Sequence, residues 1–274
     1  MKEEPSSAGP RLTEAARPVI EMIDLAVGKA DSPEPASVEE VNWRIAAGDY
    51  WVIGGLPGSG KSDLLATAAG LNRPLRGSFR LFGKEMSELA EEDLLAARAR
   101  VGIVFENGGR PFNHLTVVEN VALPLRYHRN LSLAEVKDTV ERILGFTELM
   151  PLAETTPGGM KPAWRQRVAL GRALAMSPQV LLLDNPLAGL GPQEARWWRD
   201  SLAALSEGHD ILGGRPITLV VACHDLRPWA DQGKQFGLLK QKRWLPLGDR
   251  EELVSCAEPL LQELLAADFT TGQN

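Results

Sequence analysis

The sequence predicts an α/β chain with a mostly parallel sheet covered on both sides, and three observations predict it. Short apolar runs of strand character recur at Val19 to Val27, Val38 to Ile45, Tyr50 to Ile53, Val101 to Phe105, Val180 to Leu183 and Ile217 to Ala222. Helical patterns lie between them. In one, Leu133, Val136, Val140, Ile143 and Leu144 fall at three- and four-residue spacing and make one apolar face. The third observation is a glycine-rich loop, Gly55-Leu56-Pro57-Gly58-Ser59-Gly60-Lys61-Ser62, set between the run Tyr50 to Ile53 and the helix-like Leu64 to Ala69. Strands separated by helices pair in parallel through crossovers, and the crossovers cover the sheet.

Taken in order, residues 1–18 are polar with three prolines and lack the apolar stretch of a signal peptide, so they read as a flexible tail. A domain is expected over 19–269, with 270–274 as a C-terminal tail. No run of eighteen apolar residues occurs, so any membrane role needs a partner. The chain carries 30 Lys+Arg against 36 Asp+Glu, a formal charge of −6, with no dense basic block, which argues against nucleic acid. Cys223 and Cys256 have no metal-like spacing, and a reducing compartment fits them.

The loop fits the pattern G-x-x-x-x-G-K-[ST]. Its glycines let backbone N–H groups turn toward phosphates, Lys61 reaches the β and γ groups, and the Ser62 hydroxyl suits Mg²⁺. Val180-Leu181-Leu182-Leu183-Asp184 reads as a buried strand that delivers a carboxylate to the same ion. The mainly helical stretch between the motifs, from about Asn107 to Met176, leaves room for an inserted subdomain.

With these motifs stand Arg165-Gln166-Arg167-Val168-Ala169-Leu170-Gly171-Arg172, then Asp184-Asn185-Pro186-Leu187-Ala188-Gly189-Leu190, then Cys223-His224-Asp225. In that order and spacing the chain resembles the ATP-binding subunits of ABC transporters from about Val19 to Phe269. The run from His114 to Arg126, with Arg129-Asn130-Leu131-Ser132 after it, is similar to the ATPase of MCE/Mla-type lipid transport systems. The resemblance implies a RecA-like phosphate-loop core with an antiparallel β subdomain and a helical subdomain inserted at about 107–176. It also implies ATP and Mg²⁺ as ligands and a head-to-tail dimer, here a homodimer. The implied partners are integral membrane permease subunits on the cytoplasmic face of the inner membrane, and through them an MCE-type lipid-binding protein. A soluble phosphate-loop kinase or GTPase would lack the switch residue His224.

Set against the family pattern, several positions depart. Asn185 stands where Glu is usual after the Walker B Asp; a carboxamide is no base near neutral pH, and a positioned base is worth about 10²–10⁴ in rate. Slow hydrolysis is expected, the plainer reading being that Asn185 bonds a loop. Glu106 stands where the family has Gln, either as metal ligand or substitute base, or as an ordinary loop residue. Asp63 replaces a Thr near the α-phosphate, where its charge opposes the nucleotide, although a helix N-terminus also favours it. Gly191 replaces the D-loop Asp. No aromatic residue lies between Met22 and Asn42 to stack on adenine, and Trp43 reads as core. The signature segment falls on Met160-Lys161-Pro162-Ala163-Trp164 without gaps, or on Thr156-Pro157-Gly158-Gly159-Met160 with four extra residues before Arg167. Glu106 to Leu115 should line the permease groove, with Phe112 and His114 as contacts. Of Trp197 and Trp198, one is core, because helix neighbours do not share a face. Leu260, Leu261, Leu264 and Leu265 form a stripe that packs on the core or on a partner.

Overall fold

The computed structural model describes residues 18–28 and 36–266. Both expected tails, save Pro18, lie outside them, as do the last residues of the expected domain and 29–35 of the stretch searched for an adenine-stacking ring.

The chain begins with strands β1 (Pro18–Gly28), β2 (Ala36–Ala46) and β3 (Tyr50–Gly55), then helix α1 (Lys61–Ala68). Next come β4 (Arg76–Leu81), β5 (Lys84–Glu85), α2 (Glu91–Arg98) and β6 (Val101–Val104). Three helices follow, α3 (Val117–Arg129), α4 (Leu133–Phe146) and α5 (Pro162–Leu174). The core then resumes with β7 (Val180–Asp184), α6 (Pro192–Glu207), β8 (Thr218–Cys223), β9 (Gln235–Lys240), β10 (Arg243–Gly248), α7 (Arg250–Ser255) and α8 (Pro259–Ala266).

The strands form one sheet in the order β5-β4-β1-β2-β10-β9-β3-β8-β7-β6. From β9 to β6 the neighbours are parallel, whereas β1–β2, β1–β4, β4–β5 and β9–β10 are antiparallel. With β10–β2 also parallel, the sheet joins the parallel core that the apolar runs predict to the antiparallel strands that the resemblance implies. Two of the four antiparallel pairs, β4–β5 and β9–β10, come from hairpins that the apolar runs do not announce. Phe82-Gly83 and Gln241-Lys242 are two-residue connections with both φ angles positive, 52° and 79° in the first and 50° and 62° in the second. That is the geometry that joins twisted antiparallel strands, and the second pair achieves it with no glycine.

In the parallel half, β3, β7 and β8 are buried along their whole length, as strands covered on both faces must be. Alternation divides their side chains. Ile53, Val180, Leu182 and Val220 join Leu64 and Leu65 of α1 on one face, while Val52, Leu181, Leu183 and Val221 join Trp198 and Leu202 of α6 on the other. Trp43 is core, as read, in edge contact with Trp51 at 5.7 Å and tilted on Trp244 at 5.1 Å. Trp198 is buried, and the half-buried Trp197 takes the Arg167 guanidinium over its ring at 3.8 Å. Leu261 and Leu264 of α8 are buried against the α6 face, with Leu260 and Leu265 packed beside them, so the C-terminal stripe serves the core.

The helices between β6 and β7 carry an apolar cluster of their own. Val117, Val121 and Leu125 of α3 meet Val136, Val140 and Ile143 of α4 and Val168 of α5. Leu170 and Leu174, also on α5, pack instead under the sheet, so this one helix ties the two cores together. Thr116 and Ser132 cap α3 and α4 through reciprocal bonds with Glu119 and Glu135.

Candidate nucleotide site

The site lies at the carboxyl ends of the parallel strands, where open α/β sheets place their ligands. The chain leaves β3 at Gly55, turns, and enters α1 at Lys61. Gly60 is the N-cap residue at φ 95°, and a Cβ there would lie 2.5 Å from Val38 Cγ2, so neither the backbone nor the space admits a side chain. The turn exposes the N–H groups of the first helical residues toward one side.

Lys61 is 5% exposed. Its ammonium donates to the carbonyls of Gly55 at 2.7 Å and Leu56 at 2.9 Å, and to Ser59 Oγ at 3.3 Å. Burial pulls its pKa down, and the nearby Cys223, Asp184 and Glu106 oppose that shift. Ser62 Oγ donates to Asp184 Oδ2 at 2.6 Å, joining the first turn of α1 to the end of β7. Burial raises the Asp184 pKa, and the bond from Ser62 works against it.

Glu106 follows β6 and Asn185 follows β7, and the two parallel strands bring them side by side. Asn185 Nδ2 donates to Glu106 Oε1 at 3.0 Å. The Asn185 backbone is left-handed at φ 47°, a conformation asparagine tolerates, and its N–H donates to Ala222 O at 2.8 Å. His224, just past β8, has a buried Nδ1 with no partner among the described residues. Burial lowers its pKa, with the Lys61 charge as the second cause. Asp63 accepts from Ser37 Oγ of β2. The sequence reading did not single out Ser37, and nothing in the residues before β2 marks it.

Pro57, Gly58, Ser59, Gly60, Lys61, Ser62, Asp63, Glu106, Asp184, Asn185 and His224 thus line one cavity of about 470 Å³, with Ser37. Leu56 faces the adjoining hollow beside Leu239 and Gln241 instead. Against Lys61 stand the carboxylates of Asp63, Asp184 and Glu106, so a polyphosphate needs further positive charge to enter. Among the described residues no group of three or more His, Cys, Asp or Glu is placed to hold a metal by itself. The paired oxygens of Ser62 and Asp184 suit Mg²⁺, which takes few protein ligands and completes its shell with water and phosphate.

The segment Met160 to Trp164 is not in this cavity. Pro157–Gly159 forms a 3₁₀ turn and α5 starts at Pro162 with Lys161 as its N-cap residue, so the helix begins inside Met160 to Trp164 and after the two glycines. A second hollow of about 500 Å³ opens between the sheet edge and α5, lined by Leu71, Leu95, Phe105, Arg110, His128 and Arg172 among others. Phe112 stands beside it under the Arg172 guanidinium at 5.2 Å, with the His114 ring 5.8 Å away.

A loop that presents backbone N–H groups and a lysine, with a hydroxyl–carboxylate pair beside it, defines a phosphate-loop nucleotide-binding protein. Comparison with known proteins narrows this. The family model "ABC transporter" matches residues 38–188, and the chain belongs to that family. "Probable ribonucleotide transport ATP-binding protein mkl" of Mycobacterium tuberculosis is 30% identical over 227 residues, 83% of this chain and 61% of that protein. The chain thus spans about three fifths of that relative's length. "Probable sulfate/thiosulfate import ATP-binding protein CysA" of Chlorella vulgaris is 35% identical over 217 residues, 79% of this chain and 86% of that one. Among solved structures, the dimeric bacterial ABC transporter cassette MJ0796 superposes with a TM-score of 0.72 at 28% identity, covering 82% of this chain and 95% of that one. The fold is that of an ABC ATPase. Among the described residues no helix is long and apolar enough to cross a membrane.

Proposed function

We propose that this chain binds Mg²⁺ and ATP in the cavity around Lys61 and turns that occupancy into movement of a membrane permease, hydrolysing ATP slowly. One observation carries the reading: Lys61, the Ser62–Asp184 pair, the Glu106–Asn185 pair and His224 converge from separate strand ends on a single cavity. Lys61 and the loop N–H groups hold the phosphates. Ser62 and Asp184 hold the metal, which supplies neutralising charge to the phosphate oxygens. His224, neutral by burial and with a ring nitrogen to spare, senses the γ-phosphate.

A second copy closes over the nucleotide with its segment Met160 to Trp164, at the start of α5. Lys161 there adds a cation where a hydroxyl is usual in the family. The hollow beneath α5 receives the permease, and the complex sits at the cytoplasmic face of the inner membrane. The cargo is a lipid, reached through an MCE-type partner. That assignment rests on the resemblance of the run His114 to Arg126, since the relatives' names speak of ribonucleotides and of sulfate or thiosulfate.

Calorimetry of the protein with Mg²⁺ and ATP tests the core of this reading. Wild type takes up the nucleotide and Lys61→Ala binds it at least about tenfold more weakly; an absence of uptake by wild type refutes it. Purification from membranes with mass spectrometry of proteins and lipids tests the cargo, and a permease bound without lipid would overturn that part. A second reading, a clamp that binds ATP without turnover, draws on Asn185 in place of a carboxylate. Phosphate release by the complex no faster than by its Lys61→Ala form would establish the clamp.

A further inference from the structure

Three carboxylates face the cavity, and the structure gives each a different partner. Asp184 is tied to Ser62 and Asp63 to Ser37, both through hydroxyls, whereas Glu106 is tied to a carboxamide, the Nδ2 of Asn185 at 3.0 Å. The second oxygen of Glu106 has no partner among the described residues. Asp63 sits in the first turn of α1 and Asp184 shares the metal pair with Ser62, so each already has an assignment at the phosphate or metal end. Glu106 has none.

We infer that Glu106 is the proton acceptor for hydrolysis at this site and that Asn185 is the residue that positions it. The amide holds one carboxylate oxygen and leaves the other for water. The water oxygen bonds to the γ-phosphorus as its proton passes to Glu106. The bond from that phosphorus to the bridging oxygen breaks, its electron pair leaves with ADP, and Glu106 returns its proton to phosphate or solvent.

Charge explains why only one member of the pair is an acid. A glutamate at 185 would set two carboxylates in contact, which cannot both ionise at that separation. The pair therefore accommodates one acid and one amide, and the acid is on the loop after β6. Asn185 is then a working partner and not merely a lost base.

The inference rests on the Mg²⁺–ATP reading above, and its test separates the two. In the chain assembled with its membrane partners, affinity for Mg²⁺ and ATP is measured by calorimetry and phosphate release at steady state. The variants are Glu106→Gln, Asn185→Ala, Asn185→Glu and the double exchange Glu106→Gln with Asn185→Glu. Nucleotide affinity doubles as the check that each variant is folded. Glu106→Gln is expected to lower kcat by about 10²-fold or more while still binding nucleotide. Asn185→Ala lowers kcat less, because the acid remains but is no longer held. Asn185→Glu is slower than wild type, and the double exchange recovers most of the rate lost in Glu106→Gln. The proposal is overturned by a wild-type rate equal to that of Lys61→Ala, by a Glu106→Gln rate equal to wild type, or by a double exchange as slow as Glu106→Gln. Failure of wild type to bind nucleotide sinks the functional reading as well, whereas binding with an unchanged Glu106→Gln rate sinks only this one.

Discussion

The side chains of the cavity are held before any ligand is considered, and that is what makes them testable one at a time. Lys61 is fixed by two carbonyls and a hydroxyl, so Lys61→Ala removes the one lysine or arginine that lines the cavity among the described residues while leaving the fold to β3 and α1. Nucleotide affinity should fall at least about tenfold, the loss of one charge-assisted contact of about 1.4 kcal/mol or more. His224 gives a pH dependence. Burial holds its folded pKa below the ordinary 6.5, so the folded chain binds its proton later than the unfolded chain does. The stability this contributes is present above about 6.5 and is lost as the pH falls through the folded value. Thermal melts between roughly pH 5 and 7 should show a shallower acid-side loss for His224→Gln than for wild type; parallel curves would remove His224 as the cause.

The elements owe their ends to local chemistry and their places to packing. Thr116 accepts from the Glu119 N–H and Glu119 returns the bond to the Thr116 N–H, so two orphan donors of α3 are satisfied where the chain enters the helical unit. Thr116→Ala should cost about 1 kcal/mol in urea unfolding. On α4, Ile143 is 1% exposed between α3 and α5. Ile143→Ala should cost about 2–5 kcal/mol, and because α5 carries both this cluster and Leu170 and Leu174 under the sheet, the loss should appear in one transition and not in two. A separate early transition of the helical unit would contradict that coupling.

Across the whole molecule, the nucleotide cavity and the α5 hollow are joined through the segment after β6. Glu106 stands in the first, Phe105 and Gly108 in the second. A shift of Glu106 on nucleotide binding would therefore move the wall of the proposed permease seat. Leu95 is 46% exposed at that hollow and far from the phosphate loop in sequence. Leu95→Glu should reduce recovery of permease with the protein while nucleotide affinity stays at the wild-type value. Equal recovery would place the permease elsewhere.

Much of this was legible in the chain itself. Gly55 to Ser62 and the run ending in Asp184 each carry their chemistry in consecutive residues, and the apolar runs of β1, β2, β3, β6, β7 and β8 lie within a residue or two of where they were read. The strands β4, β5, β9 and β10 were not read, because Arg76–Leu81 and Arg243–Gly248 mix charge and glycine and their turns lack the usual Asn-Gly signature. What the sequence determined by itself is the set of groups that can meet a polyphosphate and a metal, since those depend on residue type and short spacing. Only the tertiary structure decided that Glu106 and Asn185 share a hydrogen bond and that Ser37 holds Asp63. Those contacts join residues 79 and 26 positions apart, and nothing but the pairing of β6 with β7 and the meeting of the start of β2 with the N-terminus of α1 brings them within reach.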